Sequence, residues 1–419
     1  MAPRVAVPPE IAASLQHHPA PPGPSVAFTL RLAEALHRYG TPSHRLEGLM
    51  KRVSERLGLE GRFFSTPTSL FASFGPPEAL RTSLIRVEPG DMDLERLTQL
   101  DVLADDVIHS RLTPAEGALR VEDILARPPR FGPVLQILCW ALAGGAGARL
   151  FGGGLKEMAV ATVSSLLIGI LSEVTQRQPT TARVLEPVGA ILSSALAVLA
   201  ASVIGPLSIQ VATLAGLIVL LPGLTLTVAL NELATRHLIS GTSRLTGAAV
   251  VFLQLGFGVA LGSKLSVLLP PPVAPPPPSL PSWTQAVALL VAGVAIGVLF
   301  RARPRDWGWI AAAGTFAFFG ARLGSELLGP QLGAFVGALA LGIVGNVLAR
   351  LRNKPSVTVV VPGLMLLVPG SVGFRSLSSL LERDVVAGVD TAFNMLMVAV
   401  ALVAGLLSAN ALVPTRKVM

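Results

Sequence analysis

Glu232 stands next to Asn231, ten residues after Pro222-Gly223, in a stretch otherwise made of Leu, Val, Ala and Thr. A carboxylate at the centre of a bilayer costs about 2.5–3.5 kcal/mol on insertion scales, so one held deep in a span points to function. Partial burial also raises a carboxyl pKa toward neutrality, which suits a proton carrier. At the mouth of the same span Glu232 would cost little and could pair with Arg236 at i+4. The residues alone leave both placements open. Asn231, Thr225 and Thr227 supply neutral donors and acceptors suited to the amine, carboxylate and hydroxyl of a zwitterion, although Thr is also ordinary interhelical glue. Glu173 and Asp390 are the other acids able to reach membrane depth, and Asp390 shares a helix face with Asn394. Glu326, four residues after Arg322, reads as a self-satisfied pair.

Other chemistries find no support. There is no His-Glu-x-x-His, no Gly-x-Ser-x-Gly and no pair of intramembrane Asp residues, so the residues do not suggest an enzyme. Cys139 is the sole cysteine, which excludes an intrachain disulfide and a thiolate metal site. Five of the six histidines precede residue 130 without metal spacing and read as surface residues. Gly258/Gly262, Gly293/Gly297, Gly320/Gly324 and Gly333/Gly337 are small-xxx-small packing faces; no P-loop Lys-Ser/Thr follows any of them. No cofactor is called for.

The elements that must hold these residues are membrane spans. The chain is 51% hydrophobic and 14% charged, against about 25% charged in soluble proteins. Residues 1–130 hold 15 Lys/Arg and 16 Asp/Glu, residues 131–419 hold 18 and 9. The second part is therefore apolar with basic loops, which reads as positive-inside topology and not as nucleic-acid binding. Apolar runs of bilayer length fall at 132–151, 157–175, 184–204, 207–233 and 245–268, then at 283–300, 307–328, 331–350, 356–376 and 386–412. The expected organisation is a Pro-rich disordered tail (1–24), an α+β cytoplasmic domain (25–130), a five-span repeat (131–269), a Pro-rich external linker (270–282), a second five-span repeat (283–413) and a cytoplasmic tail (414–419). No cleavable signal peptide is visible.

The two sets of five resemble each other. Leu221-Pro222-Gly223 and Val368-Pro369-Gly370 end matching spans, Gly241 and Gly388 follow each at 18 residues, and Gly258 and Gly405 keep the offset of 147. An odd number of spans per repeat inverts the second copy, the usual build of a secondary transporter. With the N-terminus inside, fourteen Lys/Arg fall in inner loops and tails and six in outer ones, which places both termini in the cytoplasm. Pro222 and Pro369 remove backbone donors and can break their helices inside the bilayer. The half-helices opening at Gly223 and Gly370 would then present their positive ends to a carboxylate. The plainer alternative is a proline kink packed against neighbours.

In the N-terminal domain, Leu46, Leu49, Met50, Val53 and Leu57 recur at helical spacing between Pro42 and Gly58. Phe63–Phe74 predicts a strand, and Gly75-Pro76-Pro77 turns the chain into a second strand at Ser83–Val87. Leu97, Leu100, Ala104, Val107 and Ile108 predict a helix. Thr113-Pro114-Ala115-Glu116 is a capping box opening another, which ends near Pro128. Thr66-Pro67-Thr68 reads as a bulge more than as a small binding site.

The order of several short motifs resembles the bacterial threonine/serine exporter family. In the first domain these are Arg31-Leu-Ala-Glu-Ala-Leu-His-Arg-Tyr-Gly40, Thr66-Pro-Thr68 and Ala115-Glu-Gly-Ala-Leu119. In the membrane part they are Leu221-Pro-Gly-Leu-Thr-Leu-Thr227, Asn231-Glu-Leu233, Ser240-Gly241, Arg244-Leu245 and Val368-Pro-Gly370. The resemblance implies about ten spans and proton-driven export of small hydrophilic amino acids across the inner membrane. Members split into two chains are associated with dicarboxylate export, so succinate-like substrates are the alternative. A membrane-anchored sensor with a cytoplasmic ligand-binding domain is the second. The implied partners are a small-molecule substrate and the lipid bilayer, with a homo-oligomer compatible with both. The expected substrate contacts are Pro222, Gly223, Thr225, Thr227, Asn231, Pro369, Gly370 and Asn394; the expected proton-coupling groups are Glu232, Glu173 and Asp390.

Overall fold

The computed structural model describes residues 23–176, 183–270, 280–352, 355–367, 370–381 and 384–414. Most of the expected tail and linker, and Pro369, lie outside the described residues.

The chain begins with α1 (Pro24–Arg38), whose first residue is a proline at a position where the missing N–H would be unsatisfied anyway. The sequence reading assigned no helix there. Next comes α2 (Ser43–Arg56), preceded by Pro42 and followed by Gly58 at φ +69°, a left-handed conformation that ends the helix at little cost. The expected strand Phe63–Phe74 is two strands, β1 (Gly61–Thr66) and β2 (Ser69–Phe74), paired antiparallel with Thr66 opposite Ser69. Pro67 has a fixed φ and no amide to give a ladder, so the chain reverses at Pro67-Thr68. β3 (Arg81–Arg86) completes a meander in the order β1-β2-β3. α3 (Leu94–Ile108) and α4 (Pro114–Ala126) follow, the latter with both capping-box hydrogen bonds formed between Thr113 and Glu116. Phe28, Leu32, Leu46, Met50, Leu70 and Leu100 form the fully buried core of this N-terminal domain.

The rest is helical: α5 (Pro133–Leu150), α6 (Leu155–Thr175), α7 (Leu185–Val203), α8 (Ile209–Gly216), α9 (Gly223–Ala234), α10 (Leu238–Ser263) and α11 (Leu265–Leu268), then α12 (Trp283–Leu299), α13 (Pro304–Leu328), α14 (Pro330–Arg352), α15 (Val357–Met365), α16 (Gly370–Leu381) and α17 (Val385–Leu412). Among the described residues, seven stretches are long and apolar enough to cross a membrane: α5, α6, α7, α10 with α11, α14, Val357–Ser376 and α17. α12 is apolar but has only 17 residues. α13 has 25 residues but includes Arg305, Asp306, Arg322 and Glu326, and is not among the seven. The span expected at 207–233 is not one helix, because Leu217–Pro222 is non-helical between α8 and α9.

Close helix contacts recur along the two sets. Gly258 of α10 lies against Ala190 of α7, and Gly405 of α17 against Ala338 of α14. Gly144 of α5 faces Ala161 of α6, and Gly293 of α12 faces Ala311 of α13. α13 and α14 cross where Gly324 meets Gly333 and Gly320 meets Gly337, so the expected packing faces meet each other.

The ends of the helices sort into two sides. On one, the N-terminal domain meets the α9–α10 turn (Glu47 to His237, 3.4 Å), the α12–α13 turn (Leu94 N–H to the Phe300 carbonyl, 2.9 Å) and the start of α15 (Thr98 to Thr358, 3.3 Å). On the other, Arg149 donates to Thr284 (2.6 Å) and the Leu280 carbonyl (3.2 Å), and Ser202 to the Leu269 carbonyl (3.1 Å).

Candidate functional site

The two Pro-Gly positions come together. The Cα hydrogen side of Gly370 faces Leu221 and Gly223, and a Cβ built at Gly370 would sit 3.2 Å from Leu221 Cβ and 3.5 Å from Gly223 Cα. Pro222 and Gly223 are buried, and Gly223 opens α9. The broken helix needs partners for its freed carbonyls, because lipid offers none. Ser165 donates to the Gly216 carbonyl (2.9 Å) and Ser193 to the Thr213 carbonyl (3.1 Å). These buried serines were not singled out from the sequence; their signal was polar residues on otherwise apolar helix faces. The half-helix ends open on a cavity of about 330 Å³ lined by Ile218, Val219, Leu221, Met365, Leu366 and Gly370, with Ser371 the one hydroxyl-bearing residue among the described lining. This cavity is apolar and offers an ionic ligand little.

The polar cavity lies beside it, nearer the N-terminal domain. It measures about 460 Å³, within the range of small-molecule sites. Thr227 and Asn231 reach it from α9, Asn346 from α14, Ser356 and Val360 from the start of α15, and Asn410 from α17. Asn346 is anchored by donating to Asn410 Oδ1 and the Val413 carbonyl, both at 2.9 Å. The α2 helix closes the cavity with His44, Arg45 and Arg52. Adjacent residues face different cavities: Leu364 lines the polar one and Met365 the apolar one. None of the described residues lining the polar cavity is a carboxylate.

Glu232 is fully buried, under the first turn of α2. Its Oε1 accepts from the Ser43 N–H (2.9 Å), and its Oε2 accepts from Arg244 Nε (3.1 Å). The ion partner is Arg244 of α10, and not Arg236, which adopts φ +66° in the turn. Ser43 Oγ also donates to Ser240 Oγ (2.7 Å), so one residue of α2 touches both α9 and α10. An amide at a helix N-terminus has no intrahelical acceptor and lies at the positive end of the dipole, which suits a carboxylate.

Histidines surround this junction, against the expectation that they lie on the surface. His37 is buried with Nε2 3.1 Å from the Pro67 carbonyl, and burial pushes its pKa down. The His44 imidazole is pushed down to about 4, by burial first and then by Arg45 and His237. It stacks at a tilt on His237, ring centroids 6.0 Å apart. His109 does remain exposed. A second contact belt is ionic: Arg301 pairs with Asp91 (3.3 Å), and Arg303 (3.5 Å) and Arg130 pair with Glu95. Arg130, above all by hydrogen bonding, holds the Glu95 carboxyl below its usual range.

The other expected residues stand apart. Thr225 is half-buried and does not line the polar cavity. Asn394 donates to Asp390 (3.1 Å) and accepts from Gln331 (2.8 Å), far along α17 from Asn410. Asp390 is exposed, and Glu173 is half-buried in the last turn of α6. Arg322 and Glu326 do pair, at 3.1 Å.

Two family models match in tandem. That of the threonine/serine exporter covers residues 27–266, and a second, described as threonine/serine exporter, ThrE, covers 285–412. Among curated relatives, the pheromone-regulated membrane protein 10 of Debaryomyces hansenii is 28% identical over 87% of this chain and 37% of its own length. The protein of the same name from Saccharomyces cerevisiae is 27% identical over 85% and 47%. An uncharacterized protein of Schizosaccharomyces pombe is 26% identical over 82% and 47%. The chain thus spans less than half the length of these relatives. No solved structure matches it. Broken helices, seven membrane-length stretches and two tandem family matches lead to one assignment: the chain is a multi-pass membrane protein that belongs to the threonine/serine exporter family.

Proposed function

We propose that this protein is a secondary transporter that exports small hydrophilic amino acids, threonine or serine, with the polar cavity as its substrate site on the cytoplasmic side. The observation that carries the reading is the cavity itself. It is of small-molecule size and closed by α2, and Thr227, Asn231, Asn346, Ser356 and Asn410 set amide and hydroxyl groups from four helical segments into a wall otherwise mostly of Leu and Val. In this reading α5–α11 and α12–α17 are two five-span repeats, inverted in the membrane. The recurring glycine contacts and the sorting of helix ends into two sides support it. The N-terminal domain and both termini are then cytoplasmic, with the spans in the cell inner membrane. Thr227 and Asn231 contact the substrate, and Pro222, Gly223 and Gly370 form the meeting point of the broken spans, with Pro369 proposed as a further substrate contact. Glu232 carries proton coupling in this proposal. Loss of its charge would remove the ion partner of Arg244 and weaken, without breaking, the acceptor of the Ser43 amide, so protonation bears on the junction of α9 and α10 with α2. Glu173 and Asp390 are the alternative carriers, and Asn394 a contact on the external side.

The absence of a lining carboxylate, with Arg45 and Arg52 present, favours one second reading: a small dicarboxylate such as succinate. Efflux of labelled threonine, serine and succinate from reconstituted vesicles, with and without a pH gradient, decides between them. Gradient-dependent efflux of threonine or serine supports the first reading and of succinate alone the second. Efflux of none of the three overturns both.

A further inference from the structure

We infer that Arg45 of the N-terminal domain binds the carboxylate of the transported molecule, so that the domain supplies the charged part of the substrate site. This rests on the polar cavity being that site. Arg45, in the first turn of α2, lines the cavity together with Asn231, Asn346 and Asn410. Among the described residues its guanidinium makes one hydrogen bond, from Nη2 to Ser356 Oγ at 3.5 Å, the outer limit for such a bond. A guanidinium has five N–H donors in a fork that matches a carboxylate. Burial pulls its pKa below the usual arginine range, opposed only by the nearby charge of Asp101. A half-buried cation so sparsely hydrogen-bonded gains from an anion that enters beside it.

The rest of the lining is less suited: Arg52, the other arginine there, already lies within the field of both Asp101 and Asp105. Asn231, Asn346, Asn410 and Thr227 are neutral, and Asn346 already gives two hydrogen bonds to protein. They suit the hydroxyl and amine of an amino acid. Arg45 sits on α2, which Glu232 ties to α9 and α10 through Ser43, two residues away. Any movement of α2 away from Glu232 therefore removes the carboxylate's partner from the cavity as well. Substrate release and undocking of the domain become one event.

The test compares a carboxylate ligand with its uncharged amide. The purified chain of residues 1–419 is assayed for binding of L-serine and of L-serinamide, or of succinate and succinamate if succinate is the molecule that binds. Wild type binds the carboxylate form more tightly. Arg45→Gln loses about 10–100-fold for the carboxylate form, with the amide unchanged, and Arg45→Lys recovers part of the loss. Thermal stability of each variant is measured alongside, and Arg45→Lys keeps the comparison valid if Arg45→Gln folds poorly. Asn231→Ala separates this inference from the reading beneath it, since it weakens both ligands alike if the cavity is the site. If Asn231→Ala weakens binding but Arg45→Gln leaves the carboxylate-to-amide ratio unchanged, the assignment of Arg45 is overturned alone. If neither substitution affects binding, the cavity is not the site and both fall.

Discussion

Replacing Glu232 by Gln removes a charge from a fully buried position while keeping the side chain's shape. Two interactions respond differently. The Gln oxygen can still accept from the Ser43 amide, so the first turn of α2 keeps its partner. The Gln amide group, however, cannot accept from Arg244. Removing one partner of a buried ion pair costs about 3–5 kcal/mol. Arg244 is about 20% exposed and can turn toward solvent, which lowers the figure to about 2 kcal/mol. That value corresponds to about a 30-fold change in an opening equilibrium. Thermal unfolding in detergent reads that loss; hydrogen exchange at the first turn of α2 reads the Ser43 contact instead, changing little in Glu232→Gln and accelerating in Glu232→Ala, which orphans the Ser43 amide. Arg244→Met added to Glu232→Gln recovers part of the loss, because the uncompensated cation is gone. In vesicles, Glu232→Gln loses gradient-driven efflux and keeps substrate binding. Unchanged exchange in Glu232→Ala refutes the idea that the carboxylate ties α2 to the membrane helices. Normal efflux with an unchanged pH profile moves proton coupling to Glu173 or Asp390.

Three more outcomes follow from the same contacts. His44 has a pKa lowered from 6.5 to about 4 in the folded protein, so the unfolded chain binds the extra proton in that window. Stability is therefore full above pH 6.5 and falls by about 3 kcal/mol as the pH drops toward 4; denaturation of His44→Gln should show a shallower slope there, and an equal slope refutes the assignment. At the α13–α14 crossing a Cβ on Gly333 would sit 2.6 Å from the Ser325 nitrogen, so Gly333→Ala destabilises by about 1–3 kcal/mol, whereas Gly247→Ala, with nothing within 4 Å, does not; thermal unfolding in detergent compares them. A reporter after Met419 is active only in its cytoplasmic form and one near Pro275 only in its external form; finding both on one side refutes the five-plus-five arrangement.

Local signals were legible wherever neighbours in sequence settle the structure. The capping box at Thr113, the helix between Pro42 and Gly58, and the Arg322–Glu326 pair each depend on residues within a few positions. The Pro-Gly pairs were readable as breaks because proline cannot continue a helix, but their meeting through Gly370 and Leu221 joins residues 149 apart. The hairpin at Pro67-Thr68 was missed because Phe63–Phe74 is β-prone throughout, and only the turn residues divide it. Of the candidate site, Thr227 and Asn231 could be named because they share a face of one helix. Arg45, Asn346 and Asn410 could not, since the cavity gathers them from three elements more than sixty residues apart. His37 and His44 looked like surface residues in a charged segment; His37 is buried beside the Pro67 carbonyl, and His44 is half-buried against His237 across the junction.

The most direct test of the account is substrate protection inside the polar cavity. Cys139, buried between α5 and α12, is replaced by Ala to give a cysteine-free chain, and Val360→Cys then places one thiol on the cavity wall without touching a proposed substrate contact. The account predicts that a membrane-impermeant thiol reagent labels this cysteine from the side of the N-terminal domain, and that saturating threonine, serine or succinate slows the labelling. Labelling from that side at a rate none of the three ligands changes would contradict it.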